Sequence, residues 1–194
     1  MNRIETTRFL TDVLIKDRLS DRKYYAREVT LDYGSSHPKR IDVMKFSPAG
    51  VMYASDIEKG TFTCYEVKSC KQDIYSGNGL NFYGEKNYIV TTMDTYKDIQ
   101  DDLRSGKLDN HIKQVMEIKT CPTYGVMVPV PSWIDLRNTQ ETYAEYEHPT
   151  KLDPEKTWKM YIAYPQQREW HRTRSMNELL FCMLRAKHNS TNKG

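Results

Sequence analysis

The chain is expected to be an α/β protein built on a central mixed β-sheet flanked by helices, and three observations predict it. Short apolar runs of strand composition recur along its 194 residues, and stretches with apolar residues at helical spacing fall between them. The connections after Lys68 and Thr92 are long, as crossovers between parallel strands must be. The length favours one domain over residues 1–187, and residues 188–194, which lack apolar anchors, are expected to form a flexible tail.

The elements follow in order. Ile4, Phe9, Leu10, Val13 and Leu14 share one face of an amphipathic opening helix that should pack on the sheet. Residues 24–33 and 41–46 alternate and are separated by the breaker Gly34-Ser35-Ser36-His37-Pro38, which predicts a two-stranded hairpin. Pro48-Ala49-Gly50 is a turn, Val51–Ala54 reads as a short strand, and Thr61–Lys68 is the strongest strand in the chain. Residues 69–84 are polar and hold Gly77, Asn78, Gly79 and Asn81, a composition for an irregular loop beside the strand ends. Residues 88–92 predict a buried strand. Residues 94–105 predict a helix with Tyr96, Ile99 and Leu103 on one face, and 108–118 a second. Residues 124–130 form another strand, 135–156 a proline-punctuated surface excursion, 158–164 a strand or short helix, and 175–187 a helix with Met176, Leu179, Leu180, Met183 and Leu184 turned inward.

Composition narrows the function. Apolar residues make up 38% and charged residues 28%, and the mean hydropathy is −0.77, the balance of a soluble globule. No apolar run approaches membrane-spanning length and the N-terminus has no export signal, so the expectation is a cytoplasmic protein without a membrane partner. The net charge of +3 permits an anionic partner without requiring one. Cys64, Cys70, Cys121 and Cys182 form no CxxC pair, which speaks for reduced thiols, and the five histidines form no HxH or HExxH, which argues against catalytic zinc. Gly77-Asn78-Gly79 lacks the Gly-Lys-Ser/Thr that a P-loop requires.

One constellation carries chemistry. Glu66 and Lys68 are two apart on a strand, so both side chains leave the same face while Val67 points to the other. Asp42 lies inside the apolar run Ile41-Asp42-Val43-Met44, where a carboxylate needs a partner or a metal to offset its desolvation. If the two strands pair, the carboxylates converge, and two carboxylates with a backbone carbonyl and water suit Mg²⁺ or Mn²⁺. An isolated Glu-x-Lys on a strand is also what a solvated cross-strand pair looks like.

Asp42 followed by Glu66-Val67-Lys68 resembles the signature of the PD-(D/E)XK nucleases, and the ordered context from Glu28 to Val90 is similar to the MmcB-like DNA-repair branch of that superfamily. The resemblance implies a restriction-endonuclease-like core and a Mg²⁺- or Mn²⁺-dependent deoxyribonuclease in a repair, phage or mobile-element setting. It implies Asp42 and Glu66 as metal ligands with the Val67 carbonyl as a third, and Lys68 as the catalytic lysine. Glu28, or Glu5 on the first helix, would be an additional acid, with Asp73 and Lys86 at the rim. DNA is the implied partner, contacted by Lys39, Arg40, Lys71, Lys86, Arg172 and Arg174, and a homodimer is allowed. The connection from Asp42 to Glu66 is longer than a simple hairpin, and no proline precedes Asp42. The alternative is a non-catalytic protein of nuclease fold, an inhibitor or adaptor acting on a defence or repair complex.

Overall fold

In the computed structural model, residues 1–20 and 24–191 are described, the last four of these by backbone alone. Six strands form one mixed sheet in sequential order. Strands β1 (Tyr25–Leu31), β2 (Lys39–Ser47) and β3 (Thr61–Val67) make an antiparallel meander. Strands β4 (Lys86–Val90) and β5 (Gly125–Pro131) continue parallel to β3, and β6 (Trp158–Tyr164) closes the sheet antiparallel to β5. The chain is thus the α/β protein its sequence predicts.

Helix α1 (Arg3–Leu14), extended by a π-helical turn (Ile15–Leu19), lies on one face. Its Phe9, Leu10, Val13 and Leu14 pack on Val43, Tyr65, Val67, Val90, Met127 and Met160. Each such side chain taken fully from water contributes about 1.5–3 kcal/mol, and Phe9 meets Trp158 edge to face at 5.5 Å. The single-turn helix α3 (Lys71–Ile74) follows β3, and helices α4 (Met93–Arg104), α5 (Lys107–Met116) and α7 (Met176–Thr191) cover the opposite face with Ile99, Leu108, Ile112, Leu179 and Met183. Burial on both sides explains why β5 reads as a continuous apolar run without alternation.

Five expectations are corrected. Ile4 does not join the buried stripe of α1: it stands exposed in the first turn, on the side that lines a cleft. Residues 51–53 form no strand: Val51, Met52 and Tyr53 are exposed at a bend leading into the short helix α2 (Ala54–Glu58), with no neighbouring strand to pair with. The excursion 135–156 contains helix α6 (Thr139–Glu147), capped by the Asn138 side chain on the Gln140 and Glu141 amides. Leu184 points outward, because it lies beyond the stripe set by Leu179 and Met183. Helix α7 continues through 188–191, the first residues assigned to the tail, while 192–194 lie outside the described residues.

The β1–β2 ladder breaks at one point. Pairs Arg27↔Val43 and Val29↔Ile41 flank Glu28 and Asp42, which do not join it. Glu28 takes the left-handed conformation at φ 52°, an unusual and strained state for a residue with a side chain. Alternation resets across the break: Ala26 and Val29 on β1, and Met44 and Ile41 on β2, are three apart yet bury in the same core. Such irregularities re-aim a side chain at a sheet end, and the side chain re-aimed here is Asp42.

Candidate functional site

The β2–β3 ladder ends at Val43↔Tyr65. One step further, the Asp42 carboxylate takes the place of a ladder acceptor: the Val67 amide donates to Asp42 Oδ2 at 2.8 Å. The register that ends there brings Asp42 opposite Glu66, near enough for the Asp42 charge to act on Glu66. Burial raises the Asp42 carboxyl above its ordinary value, opposed by the Val67 amide and the charges of Lys68 and Arg40. Glu66 is raised well above the usual carboxylate range, first by complete burial and then by the Asp42 charge, against the pull of Lys68.

Glu66 is fully buried on the face of β3 that carries Phe62 and Cys64. Its Oε1 accepts from the Asn81 amide at 3.1 Å, and its Oε2 has no hydrogen-bond partner. Lys68 follows the last residue of β3, anchored by its amide on the Val90 carbonyl, and its ammonium donates to the Asn78 carbonyl at 2.7 Å. The segment 77–80 closes over both groups. A Cβ on Gly79 would sit 2.6 Å from Lys68 Nζ and 2.9 Å from Glu66 Oε2. Only glycine leaves that room, and at φ +81° only glycine takes the turn without strain.

Asp42, Val67 and Lys68 open into a cleft of about 970 Å³ at the ends of β2 and β3, between α1 and the glycine loop. Its lining is basic: Arg3, Arg8, Arg27, Lys39, Arg40 and Lys68 stand against Glu28, Asp42 and Asp73. Asp73 is committed, accepting from the Ser69 amide at 3.1 Å and from Arg3 at 2.5 Å, and so ties α1 to the loop after β3. A cleft rich in guanidinium and ammonium groups suits a phosphate backbone.

The sequence-derived residues divide accordingly. Asp42, Glu66, Val67 and Lys68 come together, Glu28 lines the same cleft across the ladder break, and Lys39 and Arg40 form part of its wall. The other four cations do not join them. Lys71 pairs with Asp102 at 2.8 Å, and Lys86 with Glu169 at 3.2 Å. Arg172 pairs with Glu85 at 2.8 Å and lies over Phe62, at the far end of β3. Arg174 is held between Asp32 and Glu178, at 2.7 and 3.0 Å. Glu5 closes a capping box with Asn2, accepting from the Asn2 amide at 2.8 Å. Glu5→Ala should therefore cost about 0.3–1 kcal/mol of stability and leave divalent-cation affinity unchanged, as paired thermal melts and Mn²⁺ titrations will show.

The sequence reading passed over Arg3, Arg8 and Arg27, and over Asn81. The signal for the first two lay in helical spacing, since positions 3, 4, 7, 8 and 11 of α1 all line the cleft. Arg27 stands next to the strained Glu28, and Asn81 gave no signal beyond a polar loop.

A hard divalent cation at this place would take the Asp42 and Glu66 carboxylates, the second with a bare buried oxygen. Among the described residues no three His, Cys, Asp or Glu side chains form a cluster able to hold a metal by themselves. A cation here would rest on two acids and on neutral oxygens. No helix among the described residues is long and apolar enough to cross a membrane. No protein-family model, no curated protein and no solved structure matches the chain.

Proposed function

We propose that the chain is a divalent-metal-dependent nuclease of the PD-(D/E)XK kind that hydrolyses DNA. The observation that carries the reading is the strained break in the β1–β2 ladder that turns Asp42 toward β3, beside Glu66 and Lys68, at the floor of a basic cleft. Strain of this sort costs about 1–3 kcal/mol and concentrates at functional sites.

Asp42 and Glu66 would hold Mg²⁺ or Mn²⁺, with the Val67 carbonyl beside them. When bound, such a cation polarises a phosphodiester and lowers the pKa of an attacking water. The chain's own groups do the rest. Arg8, Arg27 and Arg40 line the walls and fix the phosphate backbone, while Arg3, in the same wall, is held by Asp73. Lys68, freed from the Asn78 carbonyl, orients the water or balances charge that builds on the phosphate oxygens. DNA as substrate, and a repair, phage or mobile-element setting, come from the motif resemblance alone.

A second reading has its own observation. Glu66 is sealed beneath Gly79 and Lys68 is occupied by Asn78, the closed site a non-catalytic inhibitor or adaptor of this fold would have. Incubation of the chain with plasmid and linear DNA in Mg²⁺, Mn²⁺ and EDTA separates the two. Cleavage that EDTA abolishes supports the nuclease; DNA left intact under every metal condition sinks it in favour of the adaptor.

A further inference from the structure

Two buried acceptor atoms have no hydrogen-bond partner among the described residues, Glu66 Oε2 and Asn81 Oδ1. Their residues touch, since the Asn81 backbone N–H donates to the other Glu66 oxygen at 3.1 Å. The orientation of the Asn81 side chain is fixed chemically. Its Nδ2 donates to the Arg40 carbonyl at 2.7 Å, a bond the amide oxygen cannot make. Asn81 thus clamps β2, two residues before Asp42, against β3 at Glu66, and directs a bare acceptor away from that clamp.

A buried acceptor left unsatisfied is destabilising, and folded proteins keep few of them. Two on residues bonded to each other call for a positive species that takes lone pairs from both. Lys68 donates to the Asn78 carbonyl and reaches neither of the two bare oxygens. A hard divalent cation accepts neutral amide oxygens together with carboxylates, and this site can supply only two carboxylates.

We propose that the side-chain oxygen of Asn81 is a ligand of the divalent cation held by Asp42 and Glu66. The proposal rests on the metal-site reading above. It makes the clamp between β2 and β3 and the coordination of the cation a single device, so that strand spacing and metal binding depend on one residue. A trapped water donating to both oxygens would satisfy the same atoms, and cation affinity would then be indifferent to the residue at 81.

The test is calorimetric titration of Mn²⁺ into the full chain without nucleic acid, for wild type, Asn81→Ala, Asn81→Asp and Glu66→Ala, with melting curves in parallel. Wild type should bind Mn²⁺, Glu66→Ala should not, and Asn81→Ala should bind about 10- to 100-fold more weakly. Asn81→Asp keeps an oxygen and adds a charge but cannot donate to Arg40, and it should bind at least as tightly as wild type. A pure clamp would weaken both Asn81 variants alike, which overturns the proposal while the losses in Glu66→Ala keep the metal site standing. Wild-type affinity in Asn81→Ala overturns it in the same way. If Asn81→Ala does not fold, weakened affinity in a folded Asn81→Asp is enough to reject it. A wild-type chain that binds no Mn²⁺, or a Glu66→Ala chain that binds it normally, removes the metal site and this ligand together.

Discussion

Glu66→Ala is expected to reduce metal-dependent DNA cleavage on the order of 10³-fold or more, the loss that follows when a preorganised charge at the reacting centre is removed. The position has no substitute. Among the described residues no three candidate metal-ligating side chains cluster, so a lost carboxylate is not replaced from nearby. Asp42→Ala should cost as much, and it should also open the sheet end, because the Val67 amide would lose its acceptor. Lys68→Ala separates binding from chemistry: cleavage should fall about 10²–10³-fold while Mn²⁺ affinity holds, since the ammonium is not a ligand. Glu28→Gln should stay within about tenfold of wild type, because that exposed carboxylate faces Asp42 across the ladder break and does not share the buried floor. Gel-based cleavage rates at saturating Mn²⁺ read all four. A Glu66→Ala protein that cuts DNA at the wild-type rate would end the nuclease reading.

The parts of this site that were legible in the sequence are those set by periodicity. Glu66 and Lys68 were paired because a strand repeats every two residues, and Val67 falls in the opposite core as that period requires. Asp42 was harder, because regular alternation does not hold there. The ladder skips it, and Ile41 and Met44 face the same core although they are three apart. What betrayed it was chemistry, a carboxylate within an apolar run. The long connection between β2 and β3 proved harmless: residues 48–60 form a turn and a short surface helix, and the strands still pair at Ser47↔Thr61.

The basic rim shows the opposite limit. Arg172 and Arg174 sit in the most basic segment of the chain, yet their charge is spent on Glu85, Asp32 and Glu178. Glu85 and Asp32 are far away in sequence, so composition cannot reveal those pairings; only Glu178, four residues after Arg174, lies in the same segment. Arg3, Arg8 and Arg27 are scattered along the chain and line one cleft only because α1 and the β1–β2 hairpin both border it. A charge cluster in sequence is solvated or paired as often as it is convergent, and convergence is a property of topology.

Glu66→Gln is expected to stabilise the metal-free chain at pH 8 and to leave it unchanged near pH 4. The sign follows from linkage. Burial and the Asp42 charge raise the Glu66 carboxyl well above its ordinary value in the folded state, so between those two values the folded chain binds more protons than the unfolded one. Stability is then greatest below the ordinary carboxylate value and falls as pH rises toward the folded one. Asp42, also raised by burial, adds a contribution of the same sign. Glutamine keeps the shape and an oxygen for the Asn81 backbone amide without a charge to bury, and relief of an unsatisfied buried group is worth about 1–3 kcal/mol. Saturating Mn²⁺ should reverse the order. Wild type gains about 2.7 kcal/mol when the cation is at a hundred times its dissociation constant, whereas the variant, which has lost a carboxylate ligand, gains little. Thermal melts across pH 4–8, with EDTA and then with Mn²⁺, measure both effects. A melting difference that does not vary with pH, or a wild-type chain indifferent to Mn²⁺, would mean that the charge on Glu66 is balanced by the protein itself and that the strain at Glu28 serves something other than a cation.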